Sequence, residues 1–160
     1  MSQAAIDRRR TPSIAPRTDE PVDVHQLDAL SDTGRLVLRL LVGGLLLLHG
    51  IAKLQGGLTP IMGMLAQAGL PQWMAYGAYL GEVVAPVLLI AGLWARPAAI
   101  VAALNMVVAV ALAHMADLTR LGPQGGYALE LQAFYFFGAV SVALLGAGRF
   151  SLGRSGTYWN

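Results

Sequence analysis

Residues 73–94 read WMAYGAYLGEVVAPVLLIAGLW, an apolar run of bilayer length with a single acid, Glu82, near its middle. A membrane-crossing helix needs about 20 mostly apolar residues. Trp73, Tyr76 and Tyr79 near one end and Trp94 at the other match the aromatic belts that form at membrane interfaces. A charge at the centre of such a helix costs roughly 2.5–3.5 kcal/mol on insertion scales, so it is usually paired, turned inward and functional. Pro86, four residues beyond Glu82, removes the hydrogen bond to the carbonyl of residue 82 and predicts a local kink at the carboxylate. Gly77, Gly81 and Ala85 recur at intervals of four, which lets another helix approach closely on that side.

Three further apolar runs accompany it, at about 36–54, 98–115 and 127–147. The expected fold is an all-α membrane protein, a four-helix transmembrane bundle spanning 35–152. Between the first two spans, Thr59-Pro60 reads as a helix start and Gly69 with Pro71 as a stop. Ile61, Met64, Leu65 and Ala68 share one face there, which predicts a short helix lying on the membrane surface. Residues 1–34, with Pro12, Pro16, Pro21 and both signs of charge, are expected to form a flexible cytoplasmic tail, and 153–160 a second one. The run Arg8-Arg9-Arg10 is read as part of that tail, because the next apolar stretch lies too far downstream for an export signal.

Composition supports this frame. The 160 residues are 56% hydrophobic and only 12% charged, about half the usual charged fraction of a soluble domain. The mean hydropathy is +0.57. With no cysteine, the chain has no disulfide, thiolate metal site, iron–sulfur ligation or dithiol relay of its own, so redox chemistry would need a bound cofactor or a partner. The formal charge of +2 with arginines at helix ends is a membrane-topology pattern and not a nucleic-acid footprint.

The remaining titratable groups lie on different spans. At about 100° per residue, Arg39, His49 and Lys53 fall within roughly an 80° arc of the first helix. Asn105 and His114 are nine residues apart on the third, hence on opposite faces, and Glu130 sits one turn inside the fourth. His49, Lys53, His114 and Glu130 should all lie within about 10 Å of the same membrane boundary, with Glu82 somewhat deeper. The bundle is thus expected to hold a polar site in its outer half.

The chain resembles the DoxX family of small bacterial membrane proteins over roughly residues 36–152. The matching pieces are Arg39-Leu-Leu-Val-Gly-Gly, His49-Gly50-x-x-Lys53-Leu54, and Glu82 with the run ending in Arg96-Pro97. Asn105-Met106, His114, Gly126 through Glu130, and Gly146 through Leu152 complete the series. The resemblance implies a four-helix bundle in the bacterial cytoplasmic (inner) membrane, tied in some members to quinone-linked oxidation of sulfur compounds or to oxidative-stress assemblies. Ala147, where a proline is common, and Gly153, where an acid often follows, depart from the family pattern and bear on any partner contact at that end.

Three functions follow. In the first, the chain is a membrane subunit of a quinone-linked redox system, with Glu82 and His49 as proton carriers, Lys53 tuning the carboxylate, and His114 and Glu130 as further contacts to the quinone. In the second, it is a non-catalytic scaffold that recruits soluble oxidoreductases; in either case a protein partner or a homo-oligomer is expected. In the third, His49, His114 and Glu130 hold a metal or haem. Each residue also has a plainer reading: Lys53 snorkels to the interface, His114 and Glu130 are interfacial, Arg39 pairs with headgroups, and Asn105 is interhelical glue. Glu82 would then form a structural ion pair with Lys53.

Orientation follows from the basic residues. Arg8, Arg9, Arg10, Arg17, Arg35, Arg96, Arg149 and Arg154 fall on one side, and only Lys53 and Arg120 on the other, so both termini are expected in the cytoplasm. A cysteine introduced at Gln124 is expected to react with an impermeant thiol reagent from outside intact cells. Labelling from the cytoplasmic face alone would reverse the topology.

Overall fold

The computed structural model describes residues 24–153 and 158–160. Among them the chain is helical, with one isolated β-bridge, Leu121 to Tyr127, as its only extended pairing. The long elements are α1 (Val24–Gly56), α2 (Thr59–Gln67), α3 (Gln72–Ala91), α4 (Ala95–Ala113) and α5 (Glu130–Leu145). Three of them, α1, α3 and α4, are long and apolar enough to cross a membrane, and α5 is a shorter apolar helix. The side chains they turn outward are large and apolar, including Phe134 at 77% and Leu144 at 72% exposure. Such a surface is suited to lipid and not to water.

α1 begins earlier than the sequence predicts. Residues 1–23 of the expected tail lie outside the described residues, but residues 24–34 are helical and continuous with the first span. The group Ser31-Asp32-Thr33-Gly34 looks like a helix start, yet the Thr33 hydroxyl donates to the Ala29 carbonyl (2.8 Å). Asp32 is buried and receives Arg35 at 3.4 Å and Arg149 at 3.9 Å. That distant arginine gives the acid an interior role, which removes its need to cap. The 33-residue helix is roughly 50 Å long at about 1.5 Å per residue, well beyond a hydrocarbon core of about 30 Å.

Gly57, at φ +81°, turns the chain out of α1. α2 starts one residue from the expected register, with Leu58 at the N-cap position and Pro60 in the first turn. It ends where expected: Gly69 adopts φ +72°, and the Leu70 amide donates to the Leu65 carbonyl (2.8 Å), a Schellman closure. Its apolar face, Leu58 and Leu65 with Ile61 and Met62, packs on Ala75 and Tyr79 of α3 and on Leu112 of α4.

α3 is one helix with three pitches. It opens as a 3-10 segment over Gln72–Tyr76, makes an α turn, widens into a π turn over Leu80–Val84 and continues as α-helix over Ala85–Ala91. The proline expected to kink the helix is accommodated by the π turn, in which the Ala85 amide reaches back five residues to the Leu80 carbonyl. Glu82 sits in the middle of that turn.

Close packing depends on small residues. A Cβ on Gly50 would collide with the backbone carbonyl of Glu82, and one on Gly43 would lie 3.1 Å from the Pro86 carbonyl oxygen, so α1 and α3 nearly touch backbone to backbone. Gly81 makes the same room for the Asn105 side chain of α4. Ala98, Ala99 and Ala102 of α4 join Ala139 and Val142 of α5 in the main core, and α1 reaches it through Val42 and Leu46.

The segment after α5 folds back over the arginine-bearing end. The amides of Leu152 and Gly153 donate to the carbonyls of Ala91 and Gly92 (3.0 and 3.2 Å), covering the C-terminus of α3. The Asn160 side-chain oxygen accepts from the Ala95 amide (3.1 Å), and the Trp159 carbonyl accepts from the Arg96 amide (3.3 Å), at the first turn of α4. The described part of the expected C-terminal tail is therefore docked, because the open amides of a helix start need acceptors. Residues 154–157 lie outside the described residues.

Two glycine-to-alanine changes on α1 should differ in sign. Gly44→Ala, with nothing within 4 Å, is expected to be neutral or to raise the melting temperature in detergent, since alanine favours helix by about 1 kcal/mol. Gly50→Ala should lower it, by about 1–3 kcal/mol of stability, because the added methyl meets backbone. Equal melting temperatures would show that the two helices do not approach as described.

Candidate functional site

Glu82 is 3% exposed and bonded from two other helices. Its Oε2 forms an ion pair with Lys53 Nζ of α1, and its Oε1 accepts a hydrogen bond from Asn105 Nδ2 of α4 at 3.0 Å. The local sequence makes this possible. Gly50 brings α1 against the Glu82 backbone, so Lys53, one turn further along, reaches the carboxylate, while Gly81 admits Asn105 from the other side. The Tyr79 hydroxyl donates to the Lys53 carbonyl (3.3 Å), tying the end of α1 to the same turn of α3.

A charged pair in a low-dielectric interior is stable only when both partners stay and the remaining lone pairs find donors. Here each carboxylate oxygen has one. The three polar side chains lie on one wall of a cleft of about 680 Å³ between α2, α3 and α4. Apart from His114, the rest of the lining is apolar, with Leu65, Met74, Val108 and Leu112 among its residues. The ammonium of Lys53 and the amide of Asn105 keep further N–H groups beyond those given to Glu82. The site therefore sets hydrogen-bond donors and a buried carboxylate beside a largely apolar cleft.

The structure gathers Glu82 and Lys53, leaves His114 at the rim of the same cleft, and sets His49 and Glu130 outside its lining. His49 is exposed, its Nδ1 3.0 Å from the Leu45 carbonyl of its own helix and its ring edge-on to Tyr135 at 5.6 Å. The helical wheel gives the reason: His49 lies roughly 80° from Arg39 and 40° from Lys53, at the outer edge of the polar stripe. His114 caps the end of α4 and lies 3.2 Å from Asp117, at the rim of the cleft. Glu130 is exposed at the first turn of α5, beside Gly126 and outside the cleft. The expected metal set of His49, His114 and Glu130 is thus not assembled, and among the described residues no three such groups come together.

Asn105 makes the interhelical hydrogen bond that its sequence reading expects, and the partner is Glu82, which brings it into the site. The available signal was Gly81, which gives a mid-span amide access to Glu82. Arg39 also departs from expectation. It is 1% exposed, turned away from bulk lipid, and donates through Nη2 to the Phe150 carbonyl. The C-terminal segment that covers it is more than a hundred residues away in sequence, so no local pattern could announce it.

Removing one member of the Lys53–Glu82 pair should cost more than removing both. Lys53→Met is expected to destabilise the protein near the lower end of roughly 3–5 kcal/mol, since Lys53 is partly exposed and Glu82 would be left buried and unpaired. Adding Glu82→Gln should restore most of that loss. A double variant as unstable as the sum of the single ones, measured by unfolding in detergent, would show that the pair is not coupled.

None of the curated proteins and none of the solved structures gives a significant match to this chain. The DoxX family model matches residues 34–115, from the arginine-flanked start of the first span to His114 at the end of α4. That stretch holds Lys53, Glu82 and Asn105 together with the glycines that bring their helices into contact. With just over half of its length matched, this chain belongs to the DoxX family.

Proposed function

We propose that this DoxX protein is a multi-pass subunit of a quinone-linked redox system, with its four apolar helices forming a transmembrane bundle in the bacterial inner membrane. In this reading α2 lies at the outer membrane surface and both termini are cytoplasmic. The arginine distribution supports the orientation, and the described arginines Arg35, Arg96 and Arg149 indeed gather at one end of the molecule.

The observation that carries the proposal is the Lys53–Glu82–Asn105 triad on one wall of an apolar cleft. A prenylated quinone needs donors for its ring oxygens and apolar room for its ring and tail, and the donor set here fits. Bound there, a quinone would supply two-electron chemistry that takes up two protons. Lys53 Nζ and Asn105 Nδ2 would orient the ring through their remaining N–H groups. Lys53 and Glu82 would hold exchangeable protons at the head of the cleft, refilled from the nearby membrane surface. The described residues hold no redox-active side-chain pair, so the electrons come from a partner oxidoreductase, acting on sulfur compounds or in defence against oxidants.

The scaffold reading keeps one observation in its favour: both oxygens of Glu82 are already satisfied within the chain, as an internal helix lock requires. Yet an apolar trio would join three helices at least as well, so cohesion alone does not account for a buried charge pair.

Native mass spectrometry on protein extracted gently from its own membranes separates the two. A retained quinone, lost at least about tenfold on Val108→Trp, which narrows the cleft one helical turn from Asn105 and leaves the triad's own side chains in place, is the expected result. A soluble oxidoreductase retained with no quinone, and unchanged by Val108→Trp or Glu82→Gln, would replace the redox reading with the scaffold.

A further inference from the structure

Glu82 and Arg39 are both buried charges, but only Glu82 has an ionic partner among the described residues. Arg39 donates one hydrogen bond, from Nη2 to the Phe150 carbonyl, and its Nε and Nη1 have none. The nearest acid of the segment is already engaged: Asp32 holds Arg35 at 3.4 Å and Arg149 at 3.9 Å. A guanidinium taken out of water without a counter-anion is costly, and its planar fork suits phosphate oxygens in pairs.

Arg39 lines an open groove of about 750 Å³ between α1, α3 and the segment after α5. Arg149, 68% exposed, stands in the same groove. Ser151 is there too, but its hydroxyl is directed to the carbonyls of Gly148 and Gly153 (3.0 and 3.1 Å), so the donors are the two arginines. The remaining wall includes Leu47, Val87 and Ile90, which continue along the outward faces of α1 and α3. Cationic at its base and apolar along its length, the groove has the polarity of a single phospholipid.

We propose that this groove binds an anionic phospholipid, its phosphodiester held by the exposed Arg149, with the buried Arg39 guanidinium adding its charge from beneath Gly92 and Ser151, and one acyl chain lying along Leu47, Val87 and Ile90. Basic pockets between membrane helices are a recurrent setting for such headgroups. The lipid would supply the counter-anion that Arg39 lacks among the described residues and would rest against the returning segment at Phe150, so its binding would stabilise the closure of that end of the helices.

The test uses the full chain in a neutral detergent, with phosphatidylglycerol, phosphatidylcholine or inorganic phosphate added separately. Phosphatidylglycerol is expected to remain bound in native mass spectra and to raise the melting temperature, while the other two leave it unchanged. Arg149→Gln, at an exposed position, and Leu47→Trp, on the apolar wall, should each weaken phosphatidylglycerol binding about tenfold. Leu47→Trp leaves the pairing of Asp32 with Arg149 intact, which keeps the test valid if Arg39→Gln fails to fold. Equal binding of phosphatidylcholine, full protection by inorganic phosphate, or lipid binding indifferent to both substitutions would overturn the proposal.

Discussion

A carboxylate inside hydrocarbon must be answered, and the pairing of Glu82 with Lys53 and Asn105 is the constraint on which the rest of this structure depends. Its three members come from three helices, so their spacing sets how closely α1, α3 and α4 meet. Side chains of ordinary size between those helices would hold the groups apart. Glycine at positions 50 and 81 removes that obstacle, and the π turn carries Glu82 past Pro86 without breaking the helix. Helix contact, helix pitch and charge pairing are thus one arrangement seen at three scales.

The two ends of the molecule treat charge differently. Near the lysine end, opposite charges meet within the protein and border an apolar cleft. At the arginine end, Arg35 and Arg149 share Asp32 among the described residues, and a backbone carbonyl takes part of the load at Phe150. On the readings proposed above, the first arrangement would take a neutral, proton-coupled ligand and the second a permanent anion. The two would then be engaged without sharing a side chain between them.

Much of this was legible in the sequence, for physical reasons. A run of about 20 apolar residues is read directly from hydropathy, so the positions of α1, α3, α4 and α5 follow with errors of only a few residues at most ends. The Lys53–Glu82 pair was foreseeable because two unlike charges in hydrocarbon have few alternatives. What escaped depends on contacts distant along the chain. Asp32 resembles a cap until Arg149 reaches it, and Asn160 resembles a tail residue until it meets the Ala95 amide. His49 stands on the exposed side of its helix for a subtler reason: a polar stripe 80° wide has an edge, and residue type does not say which member stands on it.

The π turn holds one more residue than an α-helical ladder requires. Deleting a residue between Leu80 and Val84 would let the ladder close again as regular α-helix, leaving a span that is still apolar and nearly as long. The halves on either side would keep nearly their present phase, because the residue removed is the one that the wide turn absorbs, and only the side chains within the turn would be re-aimed. Glu82 would lose the local geometry that sets its carboxylate between Lys53 and Asn105, while Gly43 and Gly50 kept their places against α3. Fold and chemistry in this protein are therefore separable by a single codon, and a copy of the gene could lose the site in one step while still encoding a chain that inserts into the membrane.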